Sequence, residues 1–478
     1  MNPSQFISVC TSFFLIFTQT LHGANLTVDT SAPSANQAQL IKAPNGVPVV
    51  NIVAPNTQGL SHNKFSTFNV EQQGLILNNA KNIANTQLAG YIAYNPKLTG
   101  NAASLILNEV TGTNKTLLRG YTEVAGQAAD VIVANPNGIS INGGGFINTP
   151  NATLTTGTPF MHGAMLQGFD VERGVITVDG DGFNAYNIAK VNLYAKALEF
   201  NAKLYADELN VITGENTIAL DGTYTSQNIS GAGIAIDSTL LGGIYANAIT
   251  LRSTDRGIGV HLPPEVLAQN SLELNANGDI VASKIIAGSA VTLNSHGADT
   301  TLKGDITAQN ISINTAKKLL VEENSIVEAA DAMSFKAENI HNKGELIALE
   351  GVGKSTLYAL NHINNEGLIG GYNLDIGASD IENTGAFYAK NDLTLVSKNL
   401  DNAGLIRSNN AINLLIANTL TNQEEGVIYS DGSLNITSNS DKDKINTITN
   451  RGLIQSEKDI AITAKTLNNT TASPTFKN

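Results

Sequence analysis

The 478-residue sequence has no tryptophan, one cysteine and only 5% aromatic residues. With 43 glycines and so few large rings, the composition argues against a thick globular core and for a thin, layered interior of β-branched and aliphatic side chains. Cys10 lies in an apolar stretch near the start, so a chain cleaved beyond it would have neither disulfides nor thiol chemistry. Cations are scarce as well: 28 Lys and Arg face 41 Asp and Glu, a net charge of −13. That balance argues against a nucleic-acid partner, because neutralising phosphates takes a basic face. Charged residues reach only 14% against 42% apolar ones, which excludes a disordered polyelectrolyte. No later run approaches the roughly 18 apolar residues that span a bilayer, so the mature chain is expected to be soluble or surface-associated. Proline, finally, runs out. Beyond Pro3 it falls at 33, 44, 48, 55, 96, 136, 150 and 159, then only at 263, 264 and 474. Irregular turns and caps are therefore expected in the first third and uninterrupted ladders after it, with Pro263-Pro264 as border or bulge.

What is present begins with a leader. Residues 6–16 (FISVCTSFFLI) precede small and polar residues around Gly23 and Ala24, the layout of a signal peptide over 1–24. Its n-region has no Lys or Arg, and Val9 before Cys10 argues against lipid attachment. From about Ser271, alternating runs such as SLELNANGDI, AVTLNSHG and DLTLVSKNL are broken by Asn, Gly, Asp or Ser, which predicts short strands joined by tight turns. Residues 319–336 are the one helix-compatible stretch, though Ile326 and Val327 suit a strand equally.

Aligning the Asn-x-Gly elements reveals a repeat: IHNKGEL at 340–346, INNEGLI at 363–369, IENTGAF at 381–387, LDNAGLI at 400–406, LTNQEEGVI at 420–428 and ITNRGLI at 448–454. Gly344, Gly367, Gly385, Gly404, Gly426 and Gly452 are 23, 18, 19, 22 and 26 residues apart, a solenoid signature. At about 22 residues per coil, roughly twenty coils would form a rod on the order of 100 Å. Asn342, Asn365, Asn383, Asn402 and Asn450 are assigned to the corner. A sharp corner favours left-handed backbone, which Gly enters freely and Asn at low cost. Asparagines in register can also hydrogen-bond along the stack. A glycan-binding row is the alternative, and the general demand for turns in such repeats weighs against it.

Residues 51–160 are denser and unlike the repeats. They include NIVAPNTQGLSHNKFSTFNV, GLILNNA, NPKL at 95–98, SLILNEVTG and VIVANPNGISINGGGF, with GFDVERG at 168–174 and ALEFNAKLYADELNVITGEN at 197–216 following in order. Over roughly 30–260 the chain resembles the secretion domain of two-partner secretion exoproteins of the filamentous haemagglutinin and contact-dependent inhibition type. The family's signatures are an NPNL-type tetrapeptide and an NPNGI pentapeptide. The resemblance implies a right-handed parallel β-helix with a capped N-terminus. It also implies export by a signal peptide and recognition in the periplasm by an outer-membrane barrel transporter with periplasmic binding domains, followed by release or display at the cell surface. It assigns Asn95, Pro96, Lys97 and Leu98, with Asn135, Pro136, Asn137, Gly138 and Ile139, to the secretion motifs, Lys97 departing from the usual Asn. Read as residues alone, Pro136 presets a turn, Gly138 supplies positive φ and the Asn amides satisfy backbone groups the turn leaves unpaired. A purely architectural role for them stays open.

Other chemistry is weakly supported. EGVGKST at 350–356 lacks the first glycine of a phosphate-binding loop, since Ala348 stands there. The histidines, His62, His162, His261, His296, His341 and His362 among them, form no zinc motif, and His62 is read as structural packing. VDGDG at 178–182 reads as a turn with solvated aspartates rather than a calcium loop. Glu345, Asp375, Asp380 and Glu382 fall in different phases of the repeat, so no catalytic groove can be assigned. The expectation is an all-β, right-handed parallel β-helix: secretion domain over 25–265, haemagglutinin-type repeats over 266–478, no metal or cofactor and no catalysis. Functionally, it is an exported adhesin with a host or neighbouring-cell receptor. The alternative is the stalk or a truncated remnant of a contact-dependent inhibition toxin or cytolysin.

Overall fold

The computed structural model describes residues 25–227, 229–439, 444–470 and 476–477. The leader read from residues 1–24 lies outside the described residues. Strands dominate, and the only helical turn among the described residues is the 3₁₀ turn Ser34–Asn36. The strands wind as a parallel β-solenoid of about 16 turns. That is fewer than the twenty expected and gives a rod of roughly 75 Å at ~4.8 Å per rung. The shortfall is physical: many N-terminal residues go into an antiparallel cap and two side sheets that add no rung.

From Glu345 to Asn422 each repeat coil supplies one four-residue strand, such as Leu405–Ser408, and one longer strand, such as Leu393–Asn402, that bends over two faces. Along Leu393–Asn402 burial alternates until Lys398 and Asn399, which both point outward, and then resumes. The skipped beat is the corner, and it coincides with a register irregularity between Ser397 and Asn399. Three apolar columns fill the interior, one per face. Ile369, Phe387, Ile406, Ile428 and Ile454 stack on one, Ile376, Leu395, Leu414 and Ile436 on the second, and Ile381, Leu400, Leu420 and Ile448 on the third. All are essentially inaccessible to water, and each contributes about 1.5–3 kcal/mol of burial. The 319–336 stretch is strand: Lys318–Val321 and Ile326–Asn342 flank a turn with Asn324 at φ +68°. Pro263-Pro264 join Arg256–His261 to Glu265–Ala276, and parallel ladders continue on both sides.

The repeat corners work differently from the expectation. None of the six repeat glycines has positive φ, and Asn148 and Asn324 are the only non-glycine residues that do among those described. Left-handed backbone therefore does not turn these corners. The glycines are required because rungs stack backbone on backbone: a β-carbon on Gly385 would strike the carbonyl oxygen of Gly367, and one on Gly404 that of Gly385. The asparagines form a buried ladder. Asn342 Nδ2 donates to Asn365 Oδ1 at 2.8 Å, Asn365 to Asn383 at 2.8 Å, Asn383 to Asn402 at 2.7 Å and Asn402 to Asn422 at 2.8 Å. Asn422 donates to Asn450 at 2.9 Å and Asn450 to Asn469 at 3.1 Å. Asn422 and Asn469 thus extend the row inferred from sequence. The leading Asn342 Oδ1, facing the rung of Val321, has no hydrogen-bond partner. Asn342, Asn365, Asn383, Asn402, Asn422 and Asn450 are at most 1% exposed, which leaves them out of a ligand's reach.

The N-terminal end is closed by antiparallel pairing. Leu26–Val28 lies along Leu60–Phe68, and Gln39–Lys42 along Pro48–Asn51, so the first rungs present no bare edge. Two sheets stand beside the solenoid: the hairpin Ala84–Thr86/Gly90–Ile92, and an antiparallel sheet of Thr158–His162, Met165–Val171, Asn216–Ala219 and Tyr224–Ser226. Lys196, 2.8 Å from both Glu215 and Asp255, anchors the root of the second. His62 does more than pack. Its Nε2 is 2.6 Å from Glu109 Oε2, with Lys64 Nζ at 3.3 Å, across the pair Leu60–Phe68/Leu105–Val110. Burial pushes the Glu109 carboxyl up, but His62 and Lys64 outweigh it and hold the group below its ordinary range.

Two outcomes are expected. Gly385→Ala should destabilise the repeat region strongly while Gly100→Ala, with open space around its β-carbon and no positive φ, should be near neutral in denaturant unfolding. A lowered carboxyl pKa contributes stability above the unfolded value of 4.5 that is lost as pH falls through the folded value. Glu109→Gln should therefore melt below wild type at pH 6, and the gap should narrow as pH falls below 4.5.

Candidate functional site

The two Asn-Pro motifs are the same device built at two places. In NPNGI, Asn135 follows the buried strand Asp130–Ala134 and precedes Ile139–Ile141, so the turn carries the chain from one face to the next. Pro136 occupies the first turn position, where its fixed φ suits a β-turn. Gly138 N donates to Asn135 O at 3.0 Å, closing that turn, and Asn137 N donates to Asn135 Oδ1 at 3.0 Å, closing a second ring through the side chain. Gly138 has φ +110°, as the sequence reading required, and a β-carbon there would also press on Val175 O at 2.8 Å. Ile139 is fully buried between Thr116 and Ile176 in neighbouring rungs.

Asn135 is itself inaccessible and stitches rungs together. Its Nδ2 donates to Asn114 O at 2.9 Å and Thr116 Oγ1 at 3.0 Å, and its backbone N donates to Thr155 O at 2.9 Å. Asn137 Nδ2 reaches Gly112 O at 2.8 Å. Replacing either amide strands partners inside the wall, at a cost of about 1–3 kcal/mol per buried group.

NPKL repeats the pattern. Leu98 N donates to Asn95 O at 3.2 Å, and Lys97 N to Asn95 Oδ1 at 2.9 Å. Asn95, 1% exposed, donates through Nδ2 to Ile52 O at 2.9 Å and Asn78 O at 2.8 Å, and through its backbone N to Ala80 O at 2.8 Å. Lys97 enters the turn through its backbone N–H, which explains how the position tolerates a departure from Asn. Pro96 is exposed, while Leu98 joins the core. The two turns share no hydrogen-bond partner: Asn95 binds residues 52, 78 and 80, and Asn135 binds 114, 116 and 155.

Sequence reading passed over the amides around NPKL. Asn78 Nδ2 donates to Asn51 Oδ1 at 2.8 Å and Ala93 O at 3.1 Å, and Asn79 Nδ2 to Ala103 O and Gln127 O at 2.9 Å each. Asn63 Oδ1 accepts from Val53 N at 2.9 Å. The signal was available: amides following aliphatic residues in GLILNNA and SLILNEVTG have to find partners inside the wall. Asn108 is the exception, buried with neither side-chain atom hydrogen-bonded.

The remaining candidates are scattered. VDGDG is a turn, with Asp179 Oδ1 accepting from Asn201 Nδ2 at 2.9 Å. Gly353 lies in a loop, its N–H on Asp331 Oδ1 at 3.1 Å. Asp375 pairs with Lys354 at 2.5 Å, Asp380 accepts from Asn399 at 2.6 Å, Glu382 lies 3.7 Å from His362, and Glu345 stands in a separate column beside Leu368.

Comparison with known proteins joins these observations. A crystal structure of a filamentous hemagglutinin secretion domain superposes with a TM-score of 0.52 at 31% identity, covering 67% of this chain and 99% of that one. A protein named 16S rRNA endonuclease CdiA from Enterobacter cloacae is 45% identical over 297 residues, which are 61% of this chain and 9% of that protein. One named Toxin CdiA from Escherichia coli is 39% identical over 390 residues, 78% of this chain and 12% of that protein. The chain spans about a tenth of the length of these curated relatives. The family model described as TPS secretion domain matches residues 24–282, more than half of the chain and both Asn-Pro turns, and the chain belongs to that family.

Proposed function

We propose that this two-partner-secreted β-helical exoprotein acts as a non-enzymatic surface adhesin, its N-terminal rungs serving as the export address and its repeats as a stalk. We place the division near residue 265. The observation that carries the reading is the pair of Asn-Pro turns: two copies of one costly device, each closing two rings on a buried amide, inside the family-matched region. We assign their role to export through the cognate outer-membrane transporter, whose periplasmic domains would meet the folded first rungs. The relatives named as nucleases match over about a tenth of their length, so their activities are not carried to this chain. A receptor on a host or neighbouring cell completes the adhesin reading. The second reading, the stalk of a contact-dependent inhibition protein, draws on the identity to proteins named CdiA.

Saturable binding of labelled protein to epithelial cells supports the adhesin, whereas binding only to bacterial cells favours the second reading. For the motif, Asn135→Ala or Asn137→Ala should lower the secreted fraction several-fold in cells carrying the transporter. Asn402→Ala, which breaks an equally buried amide far from the motif, should lower it less than twofold. Equal losses in an immunoblot of the medium would count against an export role for the turn.

A further inference from the structure

The single cysteine, Cys10, leaves no pair for an intramolecular disulfide. One corner of the solenoid carries the groups for a different covalent tie. Lys196, Glu215 and Asp255 stand just past the ends of Phe183–Ala195, Lys203–Thr213 and Gly243–Ser253. Those strands lie in consecutive rungs, with Ala195 opposite Thr213 and Thr213 opposite Ser253. The winding therefore gathers one amine and two carboxylates that are distant in sequence.

Their geometry is unequal. Asp255 is buried, its side chain 1% exposed, against 27% for Lys196 and 28% for Glu215. Lys196 Nζ stands 2.8 Å from Glu215 Oε1 and 2.8 Å from Asp255 Oδ2. The first contact is a hydrogen bond. The second is not: Asp255 Oδ2 has no hydrogen-bond partner, so the nitrogen lies beside the carboxyl group but off the line of a hydrogen bond. A buried ion pair built for stability meets its remaining lone pairs with hydrogen bonds, and this one does not. Asp255 Oδ1, in contrast, accepts from the backbone N of Glu215 at 3.0 Å. Gly214, at φ +107°, lets the main chain approach, since a β-carbon there would fall 2.8 Å from that same oxygen.

We propose that Lys196 and Asp255 condense to an intramolecular isopeptide bond, with Glu215 carrying the proton that nitrogen must lose. One ammonium proton crosses to Asp255 Oδ2, leaving a neutral amine and a neutral acid. The amine lone pair attacks Cγ and forms the C–N bond, while the carbonyl pair moves onto Oδ1, where the Glu215 N–H meets the developing charge. Glu215 takes a second proton from nitrogen and delivers it to Oδ2. The Cγ–Oδ2 bond then breaks, water leaves and the Oδ1 pair returns to the carbonyl. Ammonium and carboxylate become one amide and one water, and Glu215 is unchanged. Fixed contact between the groups replaces the concentration the same reaction would need in solution. Burial pushes the Lys196 ammonium down, but the two carboxylates outweigh it and hold it above the ordinary lysine range, so the free amine is the minor form and the bond forms slowly. It ties two rungs across the one between them, at the root from which Asn216–Ala219 and Tyr224–Ser226 leave the solenoid. It depends on neither the export nor the adhesin reading.

The test follows the intact mass of the purified full chain during incubation at neutral pH. Wild type should lose the mass of one water, and its digest should contain a branched peptide joining Lys196 to Asp255. Lys196→Arg keeps the charge and should yield no branched peptide, with a melting temperature several degrees below that of the cross-linked chain. Glu215→Gln keeps the backbone N–H and should slow bond formation by about tenfold or more, with an unchanged circular dichroism spectrum. Wild type that keeps its full mass through prolonged incubation overturns the proposal, as does a lost water without the branched peptide. An unchanged rate in Glu215→Gln overturns the role given to that carboxylate.

Discussion

Rung-on-rung contact is the constraint on which the rest of this molecule depends. A coil of about twenty residues cannot bury its own apolar face, so each rung is stable only against its neighbours. Everything polar at a corner must then be satisfied within one rung spacing. The Asn342-to-Asn469 ladder meets that demand with a side chain carrying both donor and acceptor, so one residue type repeats without alternation. The glycines beside it meet the steric half of the same demand, because carbonyls of successive rungs occupy the space a β-carbon would need.

The N-terminal region solves the same problem without periodicity. There the rungs are irregular, the first is covered by antiparallel strands, and two small sheets leave the solenoid and return. Amides again satisfy the wall, but singly, each reaching a different carbonyl: Asn95 to residues 52 and 78, Asn79 to 103 and 127, Asn135 to 114. On the export reading proposed above, the atoms that would carry the signal are the ones that staple the rungs.

Much of the architecture was legible in the sequence because its cause is local and repeated. The Asn-x-Gly spacing marked the coils, and alternation marked which residues face inward, as in Leu393–Asn402. The mechanism of the corner was not legible. Composition cannot tell a glycine required for positive φ, as at Gly138, from one required for close approach, as at Gly385. The coil count was overestimated because dividing the length by one repeat period also counts residues that wind into side sheets such as Thr158–His162/Met165–Val171, which pair antiparallel. Of the candidate site, the two motifs stood out as text, while the partners of their amides lie tens of residues away and become neighbours only through the winding.

The amide ladder has a direction. Every Nδ2 points toward the C-terminal rung, and the leading oxygen, on Asn342, is left over. Each rung closes on one formed 18 to 28 residues earlier in the ladder. Pulled from its C-terminal end, such a rod should yield in a train of small, nearly equal force steps, each releasing one amide link and one coil of slack. A globule of the same length would instead give way in a single rip.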